Sequence, residues 1–252
     1  MGRTRDGYDG ESKAKGGSQM IIPIFFACMN VSHPITIAEQ PTQVSCGQTA
    51  LSMLLSYFDD AVSPEEIMRE LPVLKTDDGK DWGTVIPDLA HWCMRRGYRA
   101  TLHTFDSQLV HQTWAQLEPD AIIRELKTLR DTFVFPTIGT HISRAFIDAY
   151  VRYLSDGGVL VISPCISLSL IHTLLTNGPF IATVSYANLY TARGGTTATH
   201  FIVVYGTDAN GNILIADPWK DNGFQTVDPE RLIGAIMAAQ MTCENAVFQI
   251  QK

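Results

Sequence analysis

Residues 40–58 read QPTQVSCGQTALSMLLSYF, and this stretch indicates a helix in the interior of the protein. From Gly47 to Phe58 apolar residues occupy nearly every side of a helix, which is typical of a buried helix rather than of a surface one. Ser45 followed three residues later by Gln48 forms a capping-box signature, so the helix is predicted to begin at Cys46 and Gly47. The pattern predicts a fold built around this central helix.

Cys46 occupies a position where helix geometry favours a reactive thiol. The first N–H groups of a helix have no partner within it and, together with the positive end of the helix dipole, stabilise a thiolate. Gly47 places no side chain beside the sulfur, which we expect to leave room for a substrate carbonyl. A cysteine at a helix start is equally well explained as a small buried apolar residue. The two interpretations differ in what else they require, because a nucleophilic cysteine needs a base and a group that orients the base.

Two strand-like runs supply candidates for both groups. His200 is the second residue of the run 199–206 (THFIVVYG), and Asp217 follows the apolar part of the run 212–219 (NILIADPW). The connection 208–211 (DANG) predicts that the two runs form a hairpin. Taken singly, His200 is explained as a histidine at a strand start whose hydrogen bonds are satisfied, and Asp217 as a turn residue before proline. Taken as a pair in an apolar hairpin they are harder to dismiss, because a buried acid needs a partner.

The register of the hairpin decides whether His200 and Asp217 meet. In a two- or four-residue loop that contains the Asn-Gly pair, both side chains lie on one face of the sheet. A two-residue turn would place Asp217 opposite Val204, about 13 Å along the strand from His200. A four-residue loop, 208–211, places Asp217 opposite Ile202 and diagonal to His200. We therefore predict the four-residue loop, or a bulge with the same effect.

The rest of the chain divides into a helical half and a strand-rich half. A short strand is predicted at 31–39. Helices are predicted at 64–71, 85–96, 119–130 and 143–155, the last capped by Ser143, with one strand at 98–105. The second half has predicted strands at 159–163, 180–186, 201–205, 213–216 and 246–250, and helices at 168–176 and 229–239. This order is typical of an α+β fold with an antiparallel sheet and a cleft between the halves.

The composition excludes several classes of protein. The chain has 252 residues, 45% of them hydrophobic and 18% charged, which excludes an intrinsically disordered protein. The net charge is −7 and the 19 Lys and Arg residues are scattered, so a nucleic-acid partner is not expected. No apolar run reaches the length of a membrane-spanning helix.

The five cysteines show no disulfide or metal-site pattern. They stand at positions 28, 46, 93, 165 and 243, and no CxxC or metal-finger spacing exists. His91 and Cys93 point to different faces of a helix, so we expect neither a metal nor another cofactor. The sparse, odd count favours a reducing compartment, and hence the cytoplasm, or at most one disulfide bridge. The apolar run 20–29 is interpreted as a buried strand, with export as the alternative.

Together, these motifs resemble those of papain-like cysteine peptidases. The resemblance rests on Gln40 six residues before Cys46-Gly47, on His200 with the apolar residues after it, and on Asp217-Pro218. The most similar branch is that of the double-glycine leader peptidases of bacteriocin exporters and their stand-alone relatives, to which 174–186 (LLTNGPFIATVSY) is also similar. The similarity covers roughly 33–60 and 158–220.

The resemblance implies a role for each matching residue. Cys46 would be the nucleophile, His200 the general base and later the acid, and Asp217 the group that orients the imidazole. Gln40 would bind the oxyanion together with the backbone N–H of Cys46. Gln43 and Gln48 are rival glutamines; the spacing favours Gln40, and Gln48 suits the predicted cap.

The implied protein is a cysteine hydrolase acting on a peptide or isopeptide bond in a peptide or protein substrate. An acyltransferase or glutamine deamidase with the same triad, and a non-catalytic peptide-binding module, remain as alternatives. Residues 1–20 are expected to be a disordered leader or a tag remnant, and 21–252 one papain-like catalytic domain with a helical insertion at about 61–157. The Gly/Thr-rich stretch 191–199 is either a mobile lid or an ordinary exposed loop. The motifs leave the oligomeric state open.

Overall fold

The structure is a computed structural model that describes residues 30–105, 107–136, 138–190, 198–241 and 245–252. The predicted leader at 1–20, the apolar run at 20–29 and most of the predicted loop at 191–199 lie outside the described residues.

Five of the eight helices in the described residues lie before residue 156. Those within the described residues are numbered α1–α8 in chain order: Cys46–Ser56, Pro64–Glu70, Ile86–Arg95, Pro119–Leu129, Gly139–Ser155, Leu168–Asn177, Tyr186–Tyr190 and Pro229–Ala238. Within the same residues, no helix combines the length and the apolar character needed to cross a membrane.

The strands form one large sheet and one small one. In chain order, β1–β9 are Leu74–Lys75, Asp81–Gly83, Arg99–Phe105, Val159–Ser163, Phe180–Ser185, Thr199–Thr207, Ile213–Asp217, Gly223–Val227 and Ala246–Gln251. β1 and β2 pair with each other, and the large sheet has the order β4-β3-β9-β5-β6-β7-β8. The α+β fold class is thereby confirmed.

One pair of the large sheet departs from the predicted antiparallel arrangement. β3 and β4 run parallel, whereas the other neighbours run antiparallel. The chain between β3 and β4 contains α4 and α5, and a crossover of that length returns it to the end of the sheet from which it left.

Helices cover both faces of the large sheet around β6. Phe201 and Val203 of β6 pack in a core that contains the buried side chains of α1 and α3. Ile202 and Val204 face the opposite core, which contains side chains of α6 and α8. A strand buried on both faces needs a continuous apolar run, which explains the sequence FIVV after His200.

The segment 61–157, predicted to be a helical insertion, also contains three strands. β3 lies inside the large sheet, between β4 and β9. α3 and α5 contribute to the same core as α1, through residues such as Trp92 and Tyr150. This segment is therefore part of the body that surrounds the large sheet.

Two local predictions were wrong. α5 begins at Gly139 rather than at Ser143, because its first N–H groups donate to the carboxylate of Asp77, a remote residue. The Ser143 hydroxyl instead donates to the Gly139 carbonyl from within the helix. The strand predicted at 31–39 is reduced to a single bridge, between Ser32 and β6.

Candidate active site

Cys46 is the first residue of α1, as predicted, but the predicted capping box is wrong. The Ser45 hydroxyl accepts from the N–H of Thr42 at 3.0 Å and donates to the carbonyl of the same residue at 3.1 Å. Gln48 is fully buried and donates to the Leu71 carbonyl at 3.0 Å. Within the described residues no side chain caps α1 at its N-terminus. The N–H groups around Cys46 therefore keep their capacity to bind a negatively charged atom.

Gly47 serves close packing rather than substrate access. A Cβ atom at this position would lie 2.3 Å from Cγ2 of Thr84 and 3.2 Å from Cδ1 of Leu89. The expected room for a substrate carbonyl beside Gly47 is therefore filled by protein. The missing side chain instead lets α1 approach the residues that join β2 to α3.

His200 has both a carboxylate and the candidate nucleophile as partners. It is the second residue of β6 and only 4% exposed. Its Nε2 is 2.7 Å from Oδ1 of Asp217, and the Cys46 sulfur is within hydrogen-bonding range of the same ring. The rings of Tyr186 and Trp219 meet the imidazole edge to face, with centroids at 5.6 and 6.2 Å. The ring therefore has two polar partners, Asp217 and Cys46, and two aromatic neighbours.

The β6–β7 hairpin has a three-residue loop, 209–211, rather than the predicted four-residue loop. Thr207 pairs with Ile213, and the N–H of Asp208 donates to the carbonyl of Asn212 at 2.9 Å. Continued without interruption, this register would bring Asp217 to the face of the sheet that His200 does not occupy.

A one-residue bulge at Tyr205 corrects the register. Beyond it, Val203 pairs with Ala216. The next residue, Asp217, then lies on the face of His200 as its diagonal neighbour, and the two side chains bond. The predicted register is thus confirmed, and a bulge rather than a longer loop produces it.

The chain before α1 holds this bulge in place. The carbonyl of Val31 accepts from the N–H of Thr207 at 2.7 Å, and the N–H of His33 donates to the Tyr205 carbonyl at 2.9 Å. A Cβ at Gly206 would lie 2.2 Å from the Val31 oxygen, so glycine is needed for this close approach. Residues 31–33 therefore pair with the part of β6 beyond Val204, where β5 no longer pairs with it.

Asp217 is 1% exposed and accepts four hydrogen bonds. Oδ1 accepts from the backbone N–H of Trp219 at 2.7 Å and lies against His200. Oδ2 accepts from the hydroxyl of Tyr190 and from the side-chain amide of Asn222. Burial opposes ionisation, but the bonds from His200, Tyr190 and the Trp219 N–H outweigh it and lower the pKa of Asp217. The carboxylate is therefore ionised at neutral pH.

The protonation of His200 follows from the same contacts. Burial lowers its pKa, but the hydrogen bonds to Asp217 and Cys46 outweigh burial and raise the pKa to about 9. An imidazolium is consequently the favoured form of His200 at neutral pH.

Gln40 lies beside the Asp217 loop. Its backbone N–H donates to the carbonyl of Pro218 at 2.8 Å. Its side-chain amide donates to the Thr42 carbonyl at 2.7 Å, and its Oε1 is buried without a partner among the described residues. One amide hydrogen of Gln40 is left for another acceptor. Of the rival glutamines, Gln43 is exposed and Gln48 is used in the core.

The other described cysteines lie in different surroundings. Cys93 is fully buried, and burial raises the pKa of its thiol. Cys165 is exposed. Cys28 and Cys243 lie outside the described residues.

Four residues around the His200–Asp217 pair were missed in the sequence: Tyr186, Tyr190, Trp219 and Asn222. The two tyrosines are four residues apart, a spacing that puts them on one side of a helix. That signal could have revealed α7, where the sequence pattern predicts a strand end and a loop. Asn222 has no comparable signal, because a turn at Asp221, with φ of +68°, brings it back to Asp217.

No protein-family model matches the sequence, and no curated protein matches it either. Among solved structures, the fold is similar to a double-glycine motif protease from an AMS/PCAT transporter, solved in complex with the leader peptide. The identity is 13% over 87% of this chain and 93% of that chain, and the TM-score is 0.43.

A second similar structure is the peptidase domain of Streptococcus ComA, a bifunctional ABC transporter involved in quorum sensing. The identity is again 13%, over 86% of this chain and 97% of that chain, with a TM-score of 0.43. Both are peptidase domains of the double-glycine branch that the sequence resembles. The similarity is one of fold.

Proposed function

We propose that this chain is a cysteine hydrolase that cleaves a peptide or isopeptide bond through a thioester on Cys46. One observation carries the proposal: buried His200 bonds to the Asp217 carboxylate and has Cys46 as a second hydrogen-bonding partner. A nucleophile, a base and a group that orients the base are the parts that nucleophilic acyl chemistry needs.

The first step forms the thioester. The Cys46 sulfur attacks the carbonyl carbon of the substrate while His200 holds the proton as an imidazolium. The negative charge moves to the carbonyl oxygen, where the backbone N–H of Cys46 and the free amide hydrogen of Gln40 are the proposed donors. A side-chain donor of this kind typically increases the rate about a hundredfold or more.

Collapse of the tetrahedral intermediate completes the formation of the thioester, and hydrolysis of the thioester then returns the enzyme to its starting state. The tetrahedral intermediate collapses, the carbon–nitrogen bond breaks, and His200 gives its proton to the leaving amine. Neutral His200 then takes a proton from water as the water oxygen attacks the thioester carbon. The carbon–sulfur bond breaks, which releases the carboxylic acid product and leaves the Cys46 thiolate beside protonated His200. Asp217 keeps the imidazole in one orientation through both half-reactions.

Alkylation by iodoacetamide tests the proposed nucleophile. We expect Cys46 to react faster than Cys165, although Cys46 is half-buried and Cys165 is exposed. Buried Cys93 should react slowest. The rate at each cysteine is measured by mass spectrometry of the folded protein. The variant His200→Gln should reduce the rate at Cys46 while leaving Cys165 unchanged. Equal rates at Cys46 and Cys165 in the wild type would contradict the proposal.

Product analysis tests the reaction type. Wild type and Cys46→Ala are incubated separately with a proteome, and new protein N-termini and released ammonia are quantified. Hydrolysis of peptide bonds predicts new N-termini with the wild type alone. Ammonia release without new termini would instead indicate deamidation, and an amine adduct would indicate acyl transfer.

A further inference from the structure

The carboxylate of Asp217 is held on the side that His200 does not touch. Its Oδ2 accepts from the Tyr190 hydroxyl and from Asn222 Nδ2, the latter at 3.1 Å. Tyr190 is the last residue of α7, before β6, and Asn222 follows β7. The two donors therefore reach the carboxylate from chain segments on either side of the hairpin in sequence.

A buried carboxylate depends strongly on such donors. Asp217 is almost inaccessible to water, so a lost hydrogen bond is not readily replaced by solvent. Each lost donor makes the ionised form of the carboxylate less stable and leaves its plane less constrained. Both effects act on His200, because the imidazolium needs an ionised and correctly placed partner.

Tyr190 is well suited to donate without titrating itself. Burial and the neighbouring Asp217 carboxylate raise the pKa of the Tyr190 hydroxyl, so it keeps its proton across the neutral range. The ring packs against Tyr186, with centroids at 4.8 Å, and Tyr186 in turn contacts His200. The short helix α7 thus touches both members of the His–Asp pair.

We propose that Tyr190 and Asn222 are positioning residues, which keep Asp217 ionised and oriented and so control the reactivity of Cys46 through His200. This inference rests on the proposed function. Residues of α7 and of the turn after β7 would thus affect the active site through Asp217 rather than through contact with a substrate.

The test compares Tyr190→Phe with Tyr57→Phe, a matched removal of a hydroxyl at the far end of α1. The rate constant for iodoacetamide alkylation of Cys46 is measured from about pH 4 to pH 10, which covers both limbs of the expected profile. For Tyr190→Phe we expect an approximately threefold to tenfold lower rate near neutral pH. We also expect the acidic limb to move to higher pH, because Asp217 then takes up a proton more readily. Tyr57→Phe should retain the wild-type profile.

Several outcomes separate the inference from the proposed function. A folded Tyr190→Phe whose profile superimposes on that of the wild type would overturn the inference alone. If Tyr190→Phe does not fold, Asn222→Ala probes the second donor, and an unchanged acidic limb in that variant would overturn the inference. A wild-type Cys46 no faster than Cys165 would instead contradict the proposed function.

Discussion

Gly47→Ala should destabilise the protein, although an alanine normally stabilises a helix. In a helix interior, alanine is favoured over glycine by about 0.5–1 kcal/mol. Here the new Cβ would lie 2.3 Å from Thr84 Cγ2, far inside the roughly 3.5–4.0 Å contact distance of two carbon atoms. Overpacking of a buried site costs about 1–3 kcal/mol. The net loss is therefore expected to be about 1 kcal/mol, or about 2–4 °C in Tm for a chain of this size.

The variant Thr84→Ser provides the matched test, because it removes the Cγ2 atom and keeps the hydroxyl. In the Thr84→Ser background, the next nearest atoms to the new Cβ are Leu89 Cδ1 at 3.2 Å and Phe201 Cδ2 at 3.4 Å, which need to move by only a few tenths of an ångström. Most of the penalty should disappear, which gives a coupling energy of about 1–2 kcal/mol.

Urea unfolding of the four proteins measures this coupling through the midpoint at constant m-value. We expect alkylation of Cys46 to slow in Gly47→Ala as well, because a displaced helix start moves the sulfur away from His200. A Gly47→Ala variant at least as stable as the wild type would refute the packing argument. An equal penalty in both Thr84 backgrounds would also refute it.

Three further predictions concern the site. Gln40→Ala should lower kcat on a cleaved substrate about a hundredfold or more, whereas the control Gln43→Ala, at an exposed position, should not lower it. Equal effects of the two substitutions would exclude Gln40 as the oxyanion donor. Turnover should fall above about pH 9, where His200 loses its proton. The pKa of His200 is raised in the folded state, so the stabilisation that His200 provides is present in full below its unfolded pKa of about 6.5. This stabilisation is lost as the pH rises through about 9, and urea unfolding of wild type and His200→Gln measures the loss. Gly206→Ala forces a side chain against a backbone carbonyl at 2.2 Å and should slow alkylation of the reactive thiol, whereas Gly234→Ala, with nothing within 4 Å, should not.

The helices and strands that carry the site could be predicted because their signals are local. Cys46 begins a buried helix whose apolar residues identify it, and His200 precedes a run of β-branched and aromatic residues. Periodicity and burial are written into neighbouring residues, so elements such as α1 and β6 are recognisable without knowledge of the fold.

The helix caps could not be predicted with the same means. α5 begins at Gly139 because the Asp77 carboxylate accepts its first N–H groups, and nothing near Gly139 in the sequence indicates that donor–acceptor pair. Ser45 has the residue type of a cap but turns its hydroxyl back to Thr42. A motif establishes which hydrogen bonds are possible, whereas competing acceptors in the fold decide which one forms.

The sequence by itself determined that Cys46 starts a buried helix and that His200 and Asp217 belong to one apolar hairpin. The alternation of side chains along the two strands showed which registers would bring His200 and Asp217 together, but it did not select one of them. The tertiary structure made that selection, through a bulge at Tyr205 that Val31 holds by pairing with β6. Only the fold brought Cys46 to His200, since the packing of remote segments depends on the summed contacts of a whole core and not on any local preference.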